Sequence, residues 1–143
     1  MKEKKLNKSL GNLLHNINVS MKKKLEQELS DFDLITSNQF GVLSLLSKKS
    51  ISQKEISNAT LIDEPSTTRL LDRMIKRDLI GKKRSKEDKR KHIVYITDNG
   101  KELLENIMPI VIQNNNYVTN LFDKNEQEML FQLLNKINAK LRS

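Results

Sequence analysis

The sequence predicts a mainly α-helical fold that carries one small β-hairpin. Apolar residues recur at spacings of three or four along most of the chain, which is typical of amphipathic helices. Only two short segments, Leu79–Lys83 and His92–Thr97, have the pattern of strands. Side chains that commonly cap helix N-termini stand where the helical segments begin: Thr36, Ser52, Asp63 and Asp123. The length of 143 residues suits one compact domain with a moderate core.

The first helix is predicted from a long apolar stripe. This stripe consists of Leu10, Leu14, Ile17, Met21, Leu25 and Leu29. The polar segment Ser30–Asp33 ends the helix. Thr36 followed by Gln39 is a capping-box pattern, in which each side chain accepts a hydrogen bond from the backbone N–H of the other residue. The second helix begins there and has a stripe formed by Phe40, Leu43 and Leu46.

A helix-turn-helix is predicted in the centre of the chain. Ser52 with Glu55 forms a second capping box and opens a short helix, which a turn follows. Asp63 caps the next helix, and Pro65 falls in its first turn, where a missing N–H has no cost. A short helix, a turn of about four residues and a second helix are the proportions of a helix-turn-helix. The second helix is expected to bury Leu70, Leu71 and Met74.

Two further helices are predicted after the hairpin. Thr97 caps the first of them, and Pro109 in its interior should bend it. Asp123 with Glu126 forms another capping box and opens the last helix. The element order therefore predicts a winged helix-turn-helix, with the hairpin as the wing, between long N- and C-terminal helices.

The terminal helices need a cover for their apolar stripes, because the centre of the domain is too small to bury both. We expect the cover to be a second copy of the chain, with the terminal helices interdigitating across a two-fold axis. Packing of these helices within one chain is the alternative. We expect a single domain, residues 1–143, with a winged-helix lobe at about 34–99 and a helical dimerisation lobe formed by about 5–30 and 100–143.

The charge of the chain narrows the class of its partner. The chain has 26 Lys and Arg against 18 Asp and Glu, a net charge of +8 and a pI near 9.7. This excess indicates a polyanion, either nucleic acid or, less often, a membrane surface. The absence of cysteine excludes disulfides, zinc ribbons and a thiol redox switch. We find no apolar run of membrane-spanning length and no signal-peptide core, so a cytoplasmic protein is expected.

The basic excess is concentrated in the predicted hairpin tip. From Lys82 to His92, seven basic and two acidic residues give a net charge of +5 in eleven residues. The basic residues are Lys82, Lys83, Arg84, Lys86, Lys89, Arg90 and Lys91. A solvated loop is one interpretation of such a run. We favour DNA contact, because the tip follows a helix-turn-helix directly and suits a minor groove beside a major-groove site.

The segment EDKRKHIVYITDNGKELL resembles the wing of the MarR family of bacterial transcription regulators. Asp88 and Arg90 match the aspartate and arginine of that wing, Ile96–Thr97 stands where Leu-Thr is usual, and Gly100 matches the glycine. The segment PSTTRLLDRMIKRDLI is similar to the recognition helix of the family. The resemblance covers essentially the whole chain. It implies a DNA-binding transcription regulator that is not an enzyme.

Two positions depart from the family pattern. Asp78 stands where a Gly-Leu pair normally follows the recognition helix, which bears on the geometry of that turn. Lys82 stands where an arginine usually begins the wing, which weakens one expected contact to the DNA backbone.

The resemblance also implies which residues contact DNA. The DNA-facing part of the recognition helix corresponds to Ser66, Thr67, Thr68 and Arg69. Short hydroxyls there can meet base edges or phosphates, and the helix dipole favours phosphate. Arg69 can reach a base or a phosphate, and Arg73 makes either a backbone contact or an internal ion pair. In the wing, the expected DNA contacts are Arg84, Lys86, Lys89 and Arg90.

Asp88 allows two interpretations. An aspartate is an unusual neighbour for DNA unless it orients an arginine, and the resemblance implies that role with Arg90 or Arg84 as partner. The alternative is an aspartate that forms the turn of the hairpin.

Enzyme chemistry has little support in the sequence. His15 and His92 are the only histidines, so a metal site would need carboxylates around them. The segment SMKK, Ser20–Lys23, has the spacing of a serine-lysine nucleophile but lacks its companion motifs. The four glycines form no phosphate-binding loop. We expect no catalytic residue, no metal and no cofactor.

We therefore predict a homodimeric MarR-like repressor that binds a pseudo-palindromic site in double-stranded DNA. The resemblance implies that a small-molecule effector weakens this binding, although the sequence does not assign the residues of its pocket. Two alternatives belong to other classes: a non-specific architectural DNA-binding protein, and a winged-helix module whose main partner is a protein. A strong preference for one palindrome separates the regulator from the architectural protein, and absent DNA binding would favour the third interpretation.

Overall fold

The computed structural model describes residues 9–31 and 35–143. This part of the chain forms six helices and two strands in the predicted order. They are α1 (Leu10–Leu29), α2 (Ser37–Lys48), α3 (Gln53–Thr60), α4 (Glu64–Lys76), β1 (Ile80–Arg84), β2 (His92–Ile96), α5 (Asp98–Thr119) and α6 (Lys124–Arg142). The prediction of a mainly helical fold with one hairpin is confirmed. Of the predicted helix-ending segment Ser30–Asp33, only the first two residues lie within the described part.

The chain forms two compact units, residues 1–110 and residues 111–143. The first unit has one hydrophobic core to which every helix and strand in it contributes. Its most deeply buried apolar side chains are Leu29, Val42, Leu43, Ile56, Leu71, Met74, Ile80, Val94 and Ile107. Because α4 buries Leu71 and Met74, its opposite face points to solvent and is available for a partner.

Capping boxes fix the starts of three helices. In α2, the N–H of Gln39 donates to Thr36 Oγ1 at 3.2 Å, and the N–H of Thr36 donates to Gln39 Oε1 at 3.2 Å. The same reciprocal pattern opens α3 and α6 at the pairs that the sequence predicts. These predictions are confirmed, and each cap satisfies N–H groups that the first turn of a helix otherwise leaves unpaired.

The wing is an antiparallel hairpin whose register begins with Ile80 opposite Ile96. A third segment extends it, because Val94 N–H donates to the Ile51 carbonyl at 2.7 Å and Ile51 N–H donates back at 3.2 Å. The sequence pattern gives no sign of this bridge. It attaches the base of the wing to the loop between α2 and α3, so the wing is fixed to the helix-turn-helix from two sides.

The turn after α4 is formed by a residue other than glycine. Asp78 has a φ of 54°, in the left-handed region. Its N–H donates to the Ile75 carbonyl at 2.9 Å, and Leu79 N–H donates to the Met74 carbonyl at 3.0 Å. This pair of bonds is the Schellman motif, in which glycine is the usual left-handed residue. Asp78 thus departs from the family pattern in residue type while keeping a normal helix-ending turn.

The second unit comprises the end of α5 and all of α6. The Gln127 amide nitrogen donates to the carbonyls of Thr119 at 2.8 Å and Phe122 at 3.1 Å, which closes the connection between the two helices. No residue of α6 is buried, although the helix carries a regular apolar stripe. Helix α5 includes Pro109 as predicted, and the bend expected there stays a prediction.

Candidate nucleic-acid interface

The N-terminus of α4 is held by Asp63. Ser66 donates to this carboxylate twice, from its N–H at 2.8 Å and from its hydroxyl at 2.9 Å. These two bonds lower the pKa of Asp63, the backbone bond most, and the charge of Arg69 adds a smaller effect in the same direction. The ionised cap fits the positive end of the helix dipole. It also commits the hydroxyl hydrogen of Ser66 to Asp63.

Arg69 and Arg73 are both exposed and lie one turn apart on α4. Arg69 Nη2 donates to Ser66 Oγ at 3.2 Å, so its guanidinium is directed toward the N-terminus of the helix. Arg73 forms no ion pair with any residue that the structure describes. The internal pair considered for Arg73 is therefore not formed here, and its guanidinium is available to a partner.

Thr67 lies in the protein interior, which corrects the expectation that it faces DNA. The residue is 0% exposed. Its hydroxyl oxygen accepts from Ser57 Oγ at 2.9 Å and donates to the Asp63 carbonyl at 2.9 Å. The physical reason is helical spacing, because Thr67 stands four residues before Leu71 and so shares its buried face. That spacing was visible in the sequence and could have excluded Thr67.

Thr68, by contrast, is exposed. It belongs to a series of side-chain hydrogen bonds that the sequence did not reveal. Gln53, the first residue of α3, donates from Nε2 to Thr68 Oγ1 at 2.6 Å. Its other amide atom, Oε1, accepts from Lys82 Nζ in β1 at 3.3 Å. Gln53 therefore joins the recognition helix to the base of the wing. Nothing in the local pattern pointed to it, because its two partners are 15 and 29 residues away.

The tip of the wing is a compact turn. Ser85 N–H donates to the Lys91 carbonyl at 2.8 Å, and Lys91 N–H donates to the Asp88 carbonyl at 3.0 Å. The Ser85 hydroxyl oxygen accepts from the N–H groups of Glu87 and Asp88, each at 3.3 Å. All seven basic side chains of the wing are exposed. They include Arg84, Lys86, Lys89 and Arg90, and they give the wing its concentrated positive charge.

Asp88 forms the turn in this structure. Its carboxylate oxygen Oδ1 accepts from the backbone N–H of Arg90 at 3.0 Å, two residues on, which is a typical turn contact for aspartate. Within the described residues, Asp88 forms no ion pair with Arg90 or Arg84. Of the two interpretations of Asp88, the structure displays the turn-forming one.

Other kinds of site find no support in the part of the chain that the structure describes. Residues 9–31 and 35–143 contain no group of three or more His, Cys, Asp or Glu side chains placed to hold a metal ion. None of the helices there is long and apolar enough to cross a membrane.

A helix-turn-helix followed by a hairpin with an exposed basic tip defines the class of winged-helix DNA-binding proteins. Comparison with known proteins identifies the family within this class. Residues 20–107, more than half of the chain, match the sequence profile of the family described as transcriptional regulator SarA/Rot. Multiple antibiotic resistance protein MarR of Escherichia coli (strain K12) is 30% identical over 130 residues, which cover 90% of each chain.

Solved structures of similar chains have the same fold. A mutant of MarR from E. coli, crystallised in complex with operator DNA, gives a TM-score of 0.80 at 28% identity and covers 90% of this chain and 92% of its own. The transcriptional repressor CouR, bound to a 23-mer DNA duplex, gives 0.83 at 27% identity and covers 93% of this chain and 94% of its own.

The chain belongs to the MarR and SarA/Rot family of winged-helix transcriptional regulators. This confirms the resemblance found in the sequence. The relatives are regulators of transcription and not enzymes, in agreement with the prediction.

Proposed function

We propose that this protein is a homodimeric repressor that binds a pseudo-palindromic DNA site and is released by a small-molecule effector. The observation that carries the proposal is the pairing of two exposed surfaces within the first unit. One is the outer face at the start of α4, with Thr68 and Arg69, and the other is the basic wing. Gln53 connects these surfaces through hydrogen bonds to Thr68 and Lys82, so one lobe presents both.

We propose that α4 enters the major groove and that the wing follows the adjacent minor groove. Ser66, Thr68 and Arg69 then face base edges or phosphates, while Arg73 contacts the backbone one turn further along. In the wing, Arg90 inserts into the narrow groove, where a planar guanidinium is favoured. Arg84, Lys86 and Lys89 supply phosphate contacts. The similar proteins MarR and CouR have solved structures with bound DNA, which supports double-stranded DNA as the partner.

The dimer is proposed from apolar surface that the single chain leaves exposed. In α1, the exposed side chains are Leu10, Leu13, Ile17 and Val19. In the second unit, they are Ile112, Tyr117, Leu121, Met129, Phe131, Leu133 and Leu141. Apolar faces of this extent on long helices normally have a protein cover. A second copy of the chain is the cover we propose, with residues 34–99 as the DNA-binding lobe and both terminal regions in the dimerisation lobe.

Repression of transcription, and release from DNA by an effector, are proposed by analogy with the family. A repressor of this kind acts in the cytoplasm, where it meets the chromosome. An effector acts by binding one arrangement of the two recognition helices better than the other, since only such a difference shifts the equilibrium.

Selection of binding sites from random duplexes tests the proposed function. The selected sequences should converge on a two-fold symmetric motif, and the protein should bind it about a thousandfold or more tighter than random DNA at fixed salt. Sedimentation should give twice the 16.6 kDa of one chain at micromolar concentration. Equal affinity for all duplexes would indicate an architectural protein, and a folded monomer under these conditions would contradict the dimer.

A further inference from the structure

We propose that Gln53 sets the base preference of the recognition helix by orienting Thr68, which acts as a hydrogen-bond acceptor. The inference rests on the proposed function, since a base preference requires α4 to lie in the major groove. It adds a residue outside α4 and outside the wing tip. It also states which chemical group on the DNA Thr68 recognises.

The direction of the hydrogen bonds in the series Lys82–Gln53–Thr68–Glu64 follows from the chemistry of Lys82. The Lys82 ammonium has donors only, so the atom of Gln53 that faces it must accept. That atom is Oε1, at 3.3 Å. The amide nitrogen of Gln53 is then the atom directed at Thr68 Oγ1, at 2.6 Å. An amide nitrogen only donates, so the Thr68 oxygen accepts this bond.

The Glu64 carbonyl, at the other end of this hydrogen-bond series, fixes the position of the Thr68 hydroxyl hydrogen. Its Oγ1 lies 3.0 Å from the carbonyl oxygen of Glu64, one turn earlier in α4, and a carbonyl can only accept. The hydroxyl hydrogen is therefore committed to Glu64. A hydroxyl has one hydrogen and two lone pairs, so Thr68 retains a single lone pair and its methyl group for an external partner.

The edges of the bases in the major groove differ in what they offer such an acceptor. Adenine presents its N6 amino group and cytosine its N4 amino group, whereas guanine and thymine present only acceptors at the corresponding positions. An acceptor-only Thr68 attracts an amino group and is repelled by a carbonyl oxygen. We therefore infer that each half-site contains one adenine or cytosine whose amino group Thr68 reads.

The experiment uses the full chain and the selected palindrome. Each adenine of the half-site is replaced in turn by purine nucleoside and each cytosine by 2-pyrimidinone nucleoside, because both analogues lack the amino group. Affinity is measured by fluorescence anisotropy at fixed salt. At one position, removal of the amino group should weaken binding by the parent about tenfold, the scale of one groove contact. In Thr68→Val, which keeps the shape of the side chain, the amino group at that position should no longer matter.

Variants of the chain then test whether Gln53 is responsible for the effect. Gln53→Ala leaves the Thr68 hydroxyl hydrogen on the Glu64 carbonyl but removes the bond that occupies one Thr68 lone pair and directs the other toward the groove. The preference for the amino group should therefore fall. Lys82→Ala should act in the same direction, because the Gln53 amide is then no longer held at Oε1 and orients Thr68 less well. Lys83→Ala is the matched control, since it removes the same charge from the next residue of β1. Its ammonium lies over the Tyr95 ring, 5.2 Å from the centroid, and does not contact Gln53.

The results separate this inference from the function on which it rests. A preference lost in Thr68→Val, reduced in Gln53→Ala and Lys82→Ala, and retained in Lys83→Ala supports the inference. If Thr68→Val or Gln53→Ala keeps the parent preference while the palindrome is still bound specifically, the inference is wrong and the proposed function stands. If selection yields no preferred sequence, both fail.

Discussion

Gly100, in the first turn of α5, lies directly against the backbone carbonyl of Leu79. A β-carbon at this position would overlap that carbonyl oxygen and approach the Ile96 side chain to 2.8 Å. The same carbonyl accepts from Thr97 N–H at 3.1 Å, and Thr97 Oγ1 in turn accepts from Gly100 N–H at 3.0 Å. The turn after the recognition helix and the start of α5 are therefore joined through backbone atoms that leave no space for a side chain.

This close approach predicts that Gly100→Ala destabilises the protein. The added methyl group meets backbone, which cannot move aside as a side chain does, so the free energy of unfolding should fall by about 1–3 kcal/mol or more. Gly41→Ala is the matched control, because a β-carbon there has no neighbour within 4 Å. In the interior of α2, that change should stabilise by about 0.5–1 kcal/mol. Denaturant unfolding at one fixed protein concentration measures both, and equal stability of Gly100→Ala and the parent would contradict the packing described.

Asp78 should tolerate asparagine but not alanine. Its left-handed backbone suits Asp and Asn better than other residues with a side chain, and its Oδ2 accepts from Asn99 Nδ2 at 2.7 Å. Asp78→Asn keeps both features and should change the stability little. Asp78→Ala loses both and should lower the free energy of unfolding by about 1–2 kcal/mol. Thermal and denaturant unfolding report the difference, and an Ala variant as stable as the Asn variant would show that neither feature matters.

The elements that the sequence predicted well depend on residues that are close along the chain. The caps at Thr36, Ser52 and Asp123 each involve a partner three residues away, so the pattern is visible without a structure. The bridge from Ile51 to Val94 joins distant segments and left no comparable signal.

In the candidate site too, features that depend on the local sequence were predictable and features that depend on distant contacts were not. The basic wing was apparent from its composition, because a run of charge needs no tertiary contact to be recognised. The resemblance assigns Thr67 to DNA, although its spacing from Leu71 predicts the buried face on which the structure places it. Gln53 was missed because its role depends on Thr68 and Lys82, which only the fold brings to it.

Arg90 should contribute more than its charge. Arg90→Lys retains the charge, so binding to random DNA should barely change. Binding to the palindrome should weaken by about 1 kcal/mol or more per subunit, because the lysine ammonium does not replace a guanidinium in a narrow groove. Lys86→Ala serves as the contrast, since loss of one phosphate contact lowers affinity for every sequence and reduces the salt slope by about 0.9. Titrations at two salt concentrations separate the two, and an Arg90→Lys variant equal to the parent on both DNAs would contradict groove insertion.

Asp88 should act on DNA binding mainly through its charge. The asparagine side-chain oxygen can still accept from the Arg90 N–H, so Asp88→Asn keeps the turn while removing one negative charge from the wing. Affinity should rise for palindrome and random DNA alike, more at low salt than at high salt. If affinity instead falls on the palindrome alone, Asp88 orients an arginine in the DNA complex and does not act through its charge.

The spacing of half-sites tests the central claim most directly. If two copies of the chain present two α4 helices on one face of the duplex, the half-sites must lie about 10 bp, or roughly 34 Å, apart from centre to centre. Inserting about 5 bp between them turns one half-site to the opposite face, whereas inserting about 10 bp restores the face but lengthens the span. We expect both insertions to reduce affinity toward that of random DNA, and footprints on the parent site to show two protected half-sites. Unchanged affinity after the insertions, or protection of a single half-site, would contradict recognition by a symmetric dimer.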